Sequence, residues 1–462
     1  MANSTYIPRA SIMSAKDLIT AQALQVSTLC FGAYLYFILD FFLRFSARIP
    51  GYGAFRPTVL MFLFVLILLF MQGSRLKGRS GDPIFKAFIA LLIWLVISFP
   101  FVEWPGSVIR ANAKVFILAA SFMVFTALII DSEKRLRIFL GVFLGCQTFR
   151  VLEPLYLHIT QGYWGSAAHL GGGEFAERLA GAPADVINPN ELGFVIVTAI
   201  PFLHYFLWYG RWYSKLLYLF LLPLFLYALI LTMSRGAFLA LIVVAAVIFW
   251  HSRQKILLIL VGFLIVFVGW GSMNPVQQER YRSLLGGEGT QAETVEGRKQ
   301  GMISEFKLGL NRPLFGHGIG TTPEAKVNVL GVRRKASHNF YAELLIEIGI
   351  IGAVIFLVFL KQIYNRFRSN RQKIIKLGLS QHHFFSRLNM AMIAVFWMYV
   401  VYSINYWGLS QYYWYMFAGL AIVFGRVMDA YFPSDNKDHS IKSNKNTQNY
   451  DNKLIKGLKH QV

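Results

Sequence analysis

The sequence predicts an all-α fold, a polytopic membrane bundle of about twelve transmembrane helices. Three observations carry that prediction. The 462 residues are 56% hydrophobic with a mean hydropathy of +0.49, against roughly 45–50% apolar residues in soluble domains. Only 15% are charged, where about 25% is usual. The apolar residues also fall in blocks, and a block of about 20 residues is what a helix needs to cross a bilayer.

In chain order, twelve candidate spans lie near 20–43, 57–73, 84–102, 113–130, 137–157, 190–209, 215–233, 236–251, 255–271, 340–361, 387–407 and 411–428. The N-terminal stretch "MANSTYIPRASIMSAKD" is polar and has no signal-peptide core, so the first block reads as a retained span. Cys30 and Cys146 both lie in apolar runs and suggest neither a disulfide nor a metal site. An even number of spans puts both termini on one side. Clusters at Arg75-Lys77-Arg79, Lys134-Arg135-Arg137, Arg211-Lys215, Arg253-Lys255 and from Lys361 to Arg387 share a face with the Lys-rich tail. The positive-inside rule makes that face cytoplasmic. This also accounts for the net charge of +22 without nucleic acid, for which no RNA-binding motif or zinc finger argues.

Three segments follow: N-terminal spans over 1–134, a catalytic region over 135–428, and a disordered cytoplasmic tail over 429–462. Two long loops, 158–189 and 272–338, face outward. The second holds ten Lys and Arg. Long loops cross largely regardless of charge, and they are where function concentrates. Leu216 to Trp250 is 35 residues broken only by "TMSRG"; at ~1.5 Å per residue it would reach about 50 Å, so it must fold back. Arg235 then sits at an outer turn, either as a snorkelling anchor or as an anion ligand facing a cavity.

No HExxH, CxxC or GxSxG motif and no Walker motif occurs, and neither outer loop holds an Asp-x-Asp pair. Metal-independent chemistry with no cofactor is therefore expected. What remains outside is a set of arginines and a histidine. In "ERLAGAPADVINPNELGF", Arg178 has no structural role visible in sequence, whereas Asn190 is either a helix cap or a ligand. In "GRKQGMISEFKLGLNRPLFGHGIG", Met302, Ile303, Phe306 and Leu310 predict an amphipathic helix from Arg298, ended by Asn311-Arg312-Pro313. Gly316, Gly318 and Gly320 predict a mobile turn around His317, with only a weak phosphate-loop character. In "KASHNFYAELLIEIGIIG", a helix starting near Ser337 puts Asn339, Glu343 and Glu347 on one stripe behind His338. Carboxylates inside a span face a bundle interior or a wet cavity. They read either as a structural network or as partners that orient an arginine–histidine site. Tyr163 and Trp164 are sugar-stacking or interfacial anchor candidates.

Arg178 with "INPNELG", "MSRGAFLAL" at Arg235, "GR…NRPLFGHGIG" from Arg298 and "SHNFYAELLIEIGIIG" at His338 together resemble the O-antigen ligase and polymerase superfamily, over roughly 135–425. The resemblance implies a GT-C-like glycosyltransferase of the bacterial inner membrane, with both termini cytoplasmic, a periplasmic active site and a large loop between spans nine and ten. Its donor would be an undecaprenyl-pyrophosphate-linked glycan. Its acceptor would be lipid A-core for a ligase, or another lipid-linked repeat unit for a polymerase of O-antigen or exopolysaccharide.

The residues suit that chemistry. Guanidinium groups bind a pyrophosphate leaving group bidentately and stay charged, and a histidine has a pKa near ~6.5 for taking the acceptor proton. Arg178, Arg235 and His338 are thus the catalytic candidates, with inversion at the sugar. Arg298, Asn190, Asn339, Glu343 and His317 are the substrate-binding candidates. A polysaccharide flippase and a non-catalytic assembly factor are the alternatives. A transporter favours broken helices paired between two similar halves, and the sequence has no such repeat.

Overall fold

The computed structural model describes residues 25–171, 174–252, 254–273, 275–282, 290–406 and 408–432. The N-terminal stretch and the Lys-rich tail lie outside the described residues. Each of the twelve predicted spans falls on a helix: α1 (Thr28–Leu43), α2 (Pro57–Phe70), α3 (Pro83–Ser98), α4 (Ala113–Ile129), α5 (Glu133–Gln161), α6 (Pro189–Leu203), α7 (Trp212–Thr232), α8 (Arg235–His251) and α9 (Lys255–Ser272), then α13 (Phe340–Lys376), α14 (Phe384–Tyr402) and α15 (Tyr412–Tyr431). Between α9 and α13 come α10 (Pro275–Arg282), α11 (Thr290–Asn311) and α12 (Thr322–Leu330). Among the described residues, eight helices are long and apolar enough to cross a membrane; α1, α8 and α9 are apolar but shorter. The chain is a polytopic helical membrane protein.

Local chemistry sets the helix starts. Ser27, Asp82, Ser132 and Ser234 each accept a backbone N–H of the first turn, and Pro83 occupies the position where its missing donor is harmless. The core is aromatic. Trp414, Tyr413 and Tyr415 of α15 and Tyr399 of α14 are fully buried, and Tyr399 meets Trp414 edge-on at 5.4 Å between ring centres. The outer surface of α2 and α9 remains apolar, with Phe70, Ile67, Phe263 and Phe267 exposed, as lipid-facing helices require.

The predicted loop 158–189 is not wholly irregular. It carries an antiparallel hairpin, β1 (Gly165–Gly171) and β2 (Glu174–Leu179), in a register that pairs Ser166 with Arg178. The predicted amphipathic helix is present as α11 and ends at Asn311, but its buried side differs. Ile303 and Leu310 are exposed, while Glu305, Leu308 and Gly309 are buried. A Cβ at Gly309 would lie 2.7 Å from the Leu345 Cβ, so it is the glycine that lets α11 press on α13.

Helix α13 is broken. Gly349 has φ 67° and ψ −177°, a conformation open essentially to glycine alone. The break frees backbone groups in the interior, and the chain satisfies them itself. The N–H groups of His317 and Gly318 donate to the carbonyls of Ile346 (2.7 Å) and Glu347 (3.0 Å). Trp94 Nε1 donates to Ile348 (3.0 Å), and Ile350 N–H donates to Pro313 (2.7 Å). The Gly-rich stretch around His317, expected to be a mobile turn, is therefore fastened along the broken helix.

Candidate functional site

Helices α6, α8 and α13 all begin at the same end of the bundle, around one cavity of about 510 Å³. Its lining includes Asn190, Ser234, Arg235, Glu305, Lys335 and His338. The position of Asn190 follows from the capping box that brackets it. Asn188 accepts from the N–H groups of Asn190 and Glu191, and Glu191 accepts from the Asn188 N–H. The cap is thus Asn188, not Asn190, and the Asn190 side chain is left to point elsewhere. Its Oδ1 accepts from the Arg178 guanidinium at 3.0 Å, while Arg178 Nε donates to the Thr232 carbonyl at 2.9 Å. Arg178 on β2 thereby ties the hairpin to the α6 start and to the α7–α8 turn. It stands behind Asn190 and is largely buried.

Arg235 occupies the first position of α8, after the left-handed Met233 and the Ser234 cap. It is 5% exposed and faces the cavity. The α6–α8 approach depends on Gly193, where a Cβ would fall 2.6 Å from that of Ala237. Tyr402 at the end of α14 donates to the Asn190 carbonyl at 2.6 Å and closes the same wall.

His338 is exposed into the cavity two residues before α13. Its segment is held by Glu305, which the sequence analysis passed over. The Glu305 carboxylate is buried, pairs with Lys326, accepts from Ser337 Oγ at 2.6 Å and lies 3.4 Å from the His338 N–H. The signal was an acid within the apolar stripe of α11; the predicted stripe was turned the wrong way to bring it inside. Lys335 and Lys326 were also missed, and both line the cavity.

Three substrate-binding candidates stand elsewhere. Asn339 caps α13, accepting from Ala342 N–H at 3.0 Å and donating to the Ile404 carbonyl at 3.0 Å. Helix α13 starts at Phe340 rather than near Ser337. Glu343 is buried and accepts from the N–H groups of Gly408 (2.6 Å) and Leu409 (3.2 Å). It holds the α14–α15 connection and does not line the cavity. Glu347 accepts from Gly320 N–H and Thr322 Oγ1, both at 2.7 Å. The expectation that these two carboxylates orient the arginine–histidine site is thus replaced: their partners are loop backbones and one hydroxyl. His317 is 1% exposed, with Glu103 at 2.5 Å from Nδ1, the Leu308 carbonyl at 3.3 Å from Nε2 and Trp104 stacked on its ring. It has no face open to a substrate. The side chain of Arg298 lies outside the described residues. Tyr163 donates to the Gly181 carbonyl at 2.7 Å and serves the loop fold.

Chemically, the cavity offers an anion more than one form of help. Helix N-termini present partial positive charge and unpaired N–H groups. Arg235 and Lys335 add full charges, and His338 adds a group able to carry a proton. Among the described residues, no three His, Cys, Asp or Glu side chains converge as metal ligands would.

No curated protein sequence matches the chain. The model of the O-antigen ligase family matches residues 219–357, the stretch that contributes Arg235, Glu305 and His338 to the cavity, and this match supports an O-antigen ligase-related superfamily.

Proposed function

We propose that the protein is a metal-independent glycosyltransferase of surface polysaccharide biosynthesis. It moves a glycan from undecaprenyl pyrophosphate to an acceptor hydroxyl at the outer face of a bacterial inner membrane. One observation carries this reading: Arg235, His338 and the starts of α6, α8 and α13 meet at a single cavity. A volume of about 510 Å³ suits a pyrophosphate with one or two sugars.

In the proposed step, His338 takes the proton of the acceptor hydroxyl. The hydroxyl oxygen forms a bond to the anomeric carbon while the carbon–oxygen bond to pyrophosphate breaks. The leaving group departs with that electron pair, and its charge meets Arg235 and the helix N-termini. A single displacement inverts the anomeric centre. Arg178 acts through its hydrogen bond to Asn190, aiming that amide and adding positive charge behind it.

The test is transfer by the purified protein from an undecaprenyl-pyrophosphate-linked repeat unit. His338→Ala is expected to lower the rate by about 10²–10⁴-fold, the range of general base catalysis, with unchanged thermal stability. A near-wild-type rate would remove the base assignment. Chain growth without lipid A-core marks a polymerase, and transfer only when that acceptor is added marks a ligase.

Transport draws on one observation, the break at Gly349. The freed carbonyls there accept from His317, Gly318 and Trp94. Those three bonds satisfy the break within the protein, so the break by itself does not favour transport.

A further inference from the structure

A second cavity, of about 830 Å³, lies at the same end of the bundle on the other side of the α6 start. Asn190 lines the first cavity and Glu191 the second, so one helical turn, with Tyr406 beside it, forms the wall between them. The second cavity has three zones of different chemistry.

The first zone is a slot between α2 and α4. Thr58, Val59 and Phe62 form one side, and Lys114, Ile117 and Leu118 the other. Val59 and Ile117 are 53% and 54% exposed on the lipid-facing surface, so the slot opens sideways. Phe62 and Phe125 close it deeper, with ring centres 5.6 Å apart. The four residue steps from Thr58 to Phe62 rise only about 6 Å. A window one helical turn high suits a single hydrocarbon chain.

The second zone is the rim, where Arg44 and Lys114 are exposed and, among the described residues, make no ion pair. Two cations above an apolar slot match a phosphate above a lipid chain. The third zone is interior and polar. Asp40 is 1% exposed; one oxygen accepts from Thr58 Oγ1 at 2.5 Å and the other, Oδ1, has no partner among the described residues. A buried carboxylate oxygen without a donor is costly. Sugar hydroxyls are donors of the right kind, and Glu191, Gln411 and Tyr412 line the same space with further polar atoms and an aromatic ring.

We infer that this cavity binds a second polyprenyl-phosphate-linked glycan, the acceptor. The prenyl chain lies in the α2–α4 slot, the phosphate against Lys114 and Arg44, and a sugar hydroxyl donates to Asp40 Oδ1. This rests on the transfer reading above and deepens it: two single-chain lipid-linked glycans on either side of one helical turn make the enzyme a polymerase.

The test counts bound lipids by native mass spectrometry of the full chain, using a polyprenyl-pyrophosphate-linked disaccharide as probe. Two bound molecules are expected for the wild type. Lys114→Glu should weaken the second by at least tenfold and leave the first, and Arg235→Ala should do the reverse. Val59→Trp, on the lipid-facing rim, should reproduce the Lys114→Glu loss by filling the slot. Asp40→Asn should weaken the disaccharide probe but not polyprenyl phosphate, which has no sugar. Loss of both lipids or of neither in Lys114→Glu, equal Asp40→Asn effects on the two probes, or displacement of the second lipid by a multiply acylated phospho-diglucosamine lipid overturns the inference. The two failures separate cleanly. Arg235→Ala keeping both lipids counts against the transfer reading; Arg235→Ala losing one while Lys114→Glu loses none counts against the acceptor site alone.

Discussion

The cavity at His338 and the loop fastened on Gly349 both place charged and polar side chains inside the bundle, from the same stretch of chain. Their partners differ. Arg235 and His338 face open space between helix starts. Glu347, nine residues on from His338, is occupied by Gly320 and Thr322, and His317 by Glu103 and Leu308. Position in a membrane span tells that a polar residue must be satisfied. It does not tell whether the satisfaction comes from a substrate or from the protein's own backbone. A broken helix creates demand for internal donors and acceptors, and the loop that meets it also engages Glu347 and His317, which the sequence offered as an orienting partner and a binding candidate.

The largest expected effect tests the structural side of this contrast. Gly349→Ala would place a Cβ 2.2 Å from the Leu314 carbonyl oxygen in a backbone conformation that alanine avoids. The expected cost is about 3 kcal/mol or more, read as a loss of thermal stability in detergent and a lower yield of monodisperse protein. Stability within 1 kcal/mol of wild type would mean that the break is not held as described.

A smaller effect is expected from Glu347→Gln. The Thr322 hydroxyl can turn and accept from the new amide, but whichever way the amide lies its nitrogen faces a backbone N–H, that of Gly320 or that of Thr322, and that donor loses its acceptor. About 1–3 kcal/mol of stability should be lost. Transfer per folded molecule should remain within a few-fold of wild type. A large rate loss at unchanged stability would return Glu347 to the active site and dissolve the contrast.

Much of this was legible in the sequence. A helix lies at each of the twelve apolar blocks, though only eight of the described helices are long and apolar enough to cross a membrane; the α7–α8 turn came from a length argument, and the end of α11 from Asn311-Arg312-Pro313. Arg235, Asn190 and His338 were singled out and the fold brings all three to one cavity. What the chain does not display locally was missed. Glu305 reaches Ser337 and His338 only through packing of α11 on α13. The carboxylates of Glu343 and Glu347 find their partners in loops 65 and 27 residues away. A glycine triplet around His317 reads as flexible until the broken helix that it lines is seen. The β hairpin lies in a small-residue stretch, "GSAAHLGGGEFAERL", too poor in branched side chains to read as strand.

The finest version of the comparison sits within a single turn. Asn188 and Asn190 are chemically identical and two residues apart, yet one serves the helix and the other the cavity. Asn188→Ala removes the acceptor for two N–H groups at the α6 start and should cost about 1 kcal/mol of stability. Asn190→Ala leaves that cap intact. It deprives Arg178 of its 3.0 Å acceptor and the cavity of an amide, so it should lower transfer by roughly tenfold, about 1.4 kcal/mol on the barrier, with little change in stability. The two variants should therefore move different readouts. If both moved only stability, the α6 start would be a structural cap alone, and the wall between the two cavities would have no part in positioning either substrate.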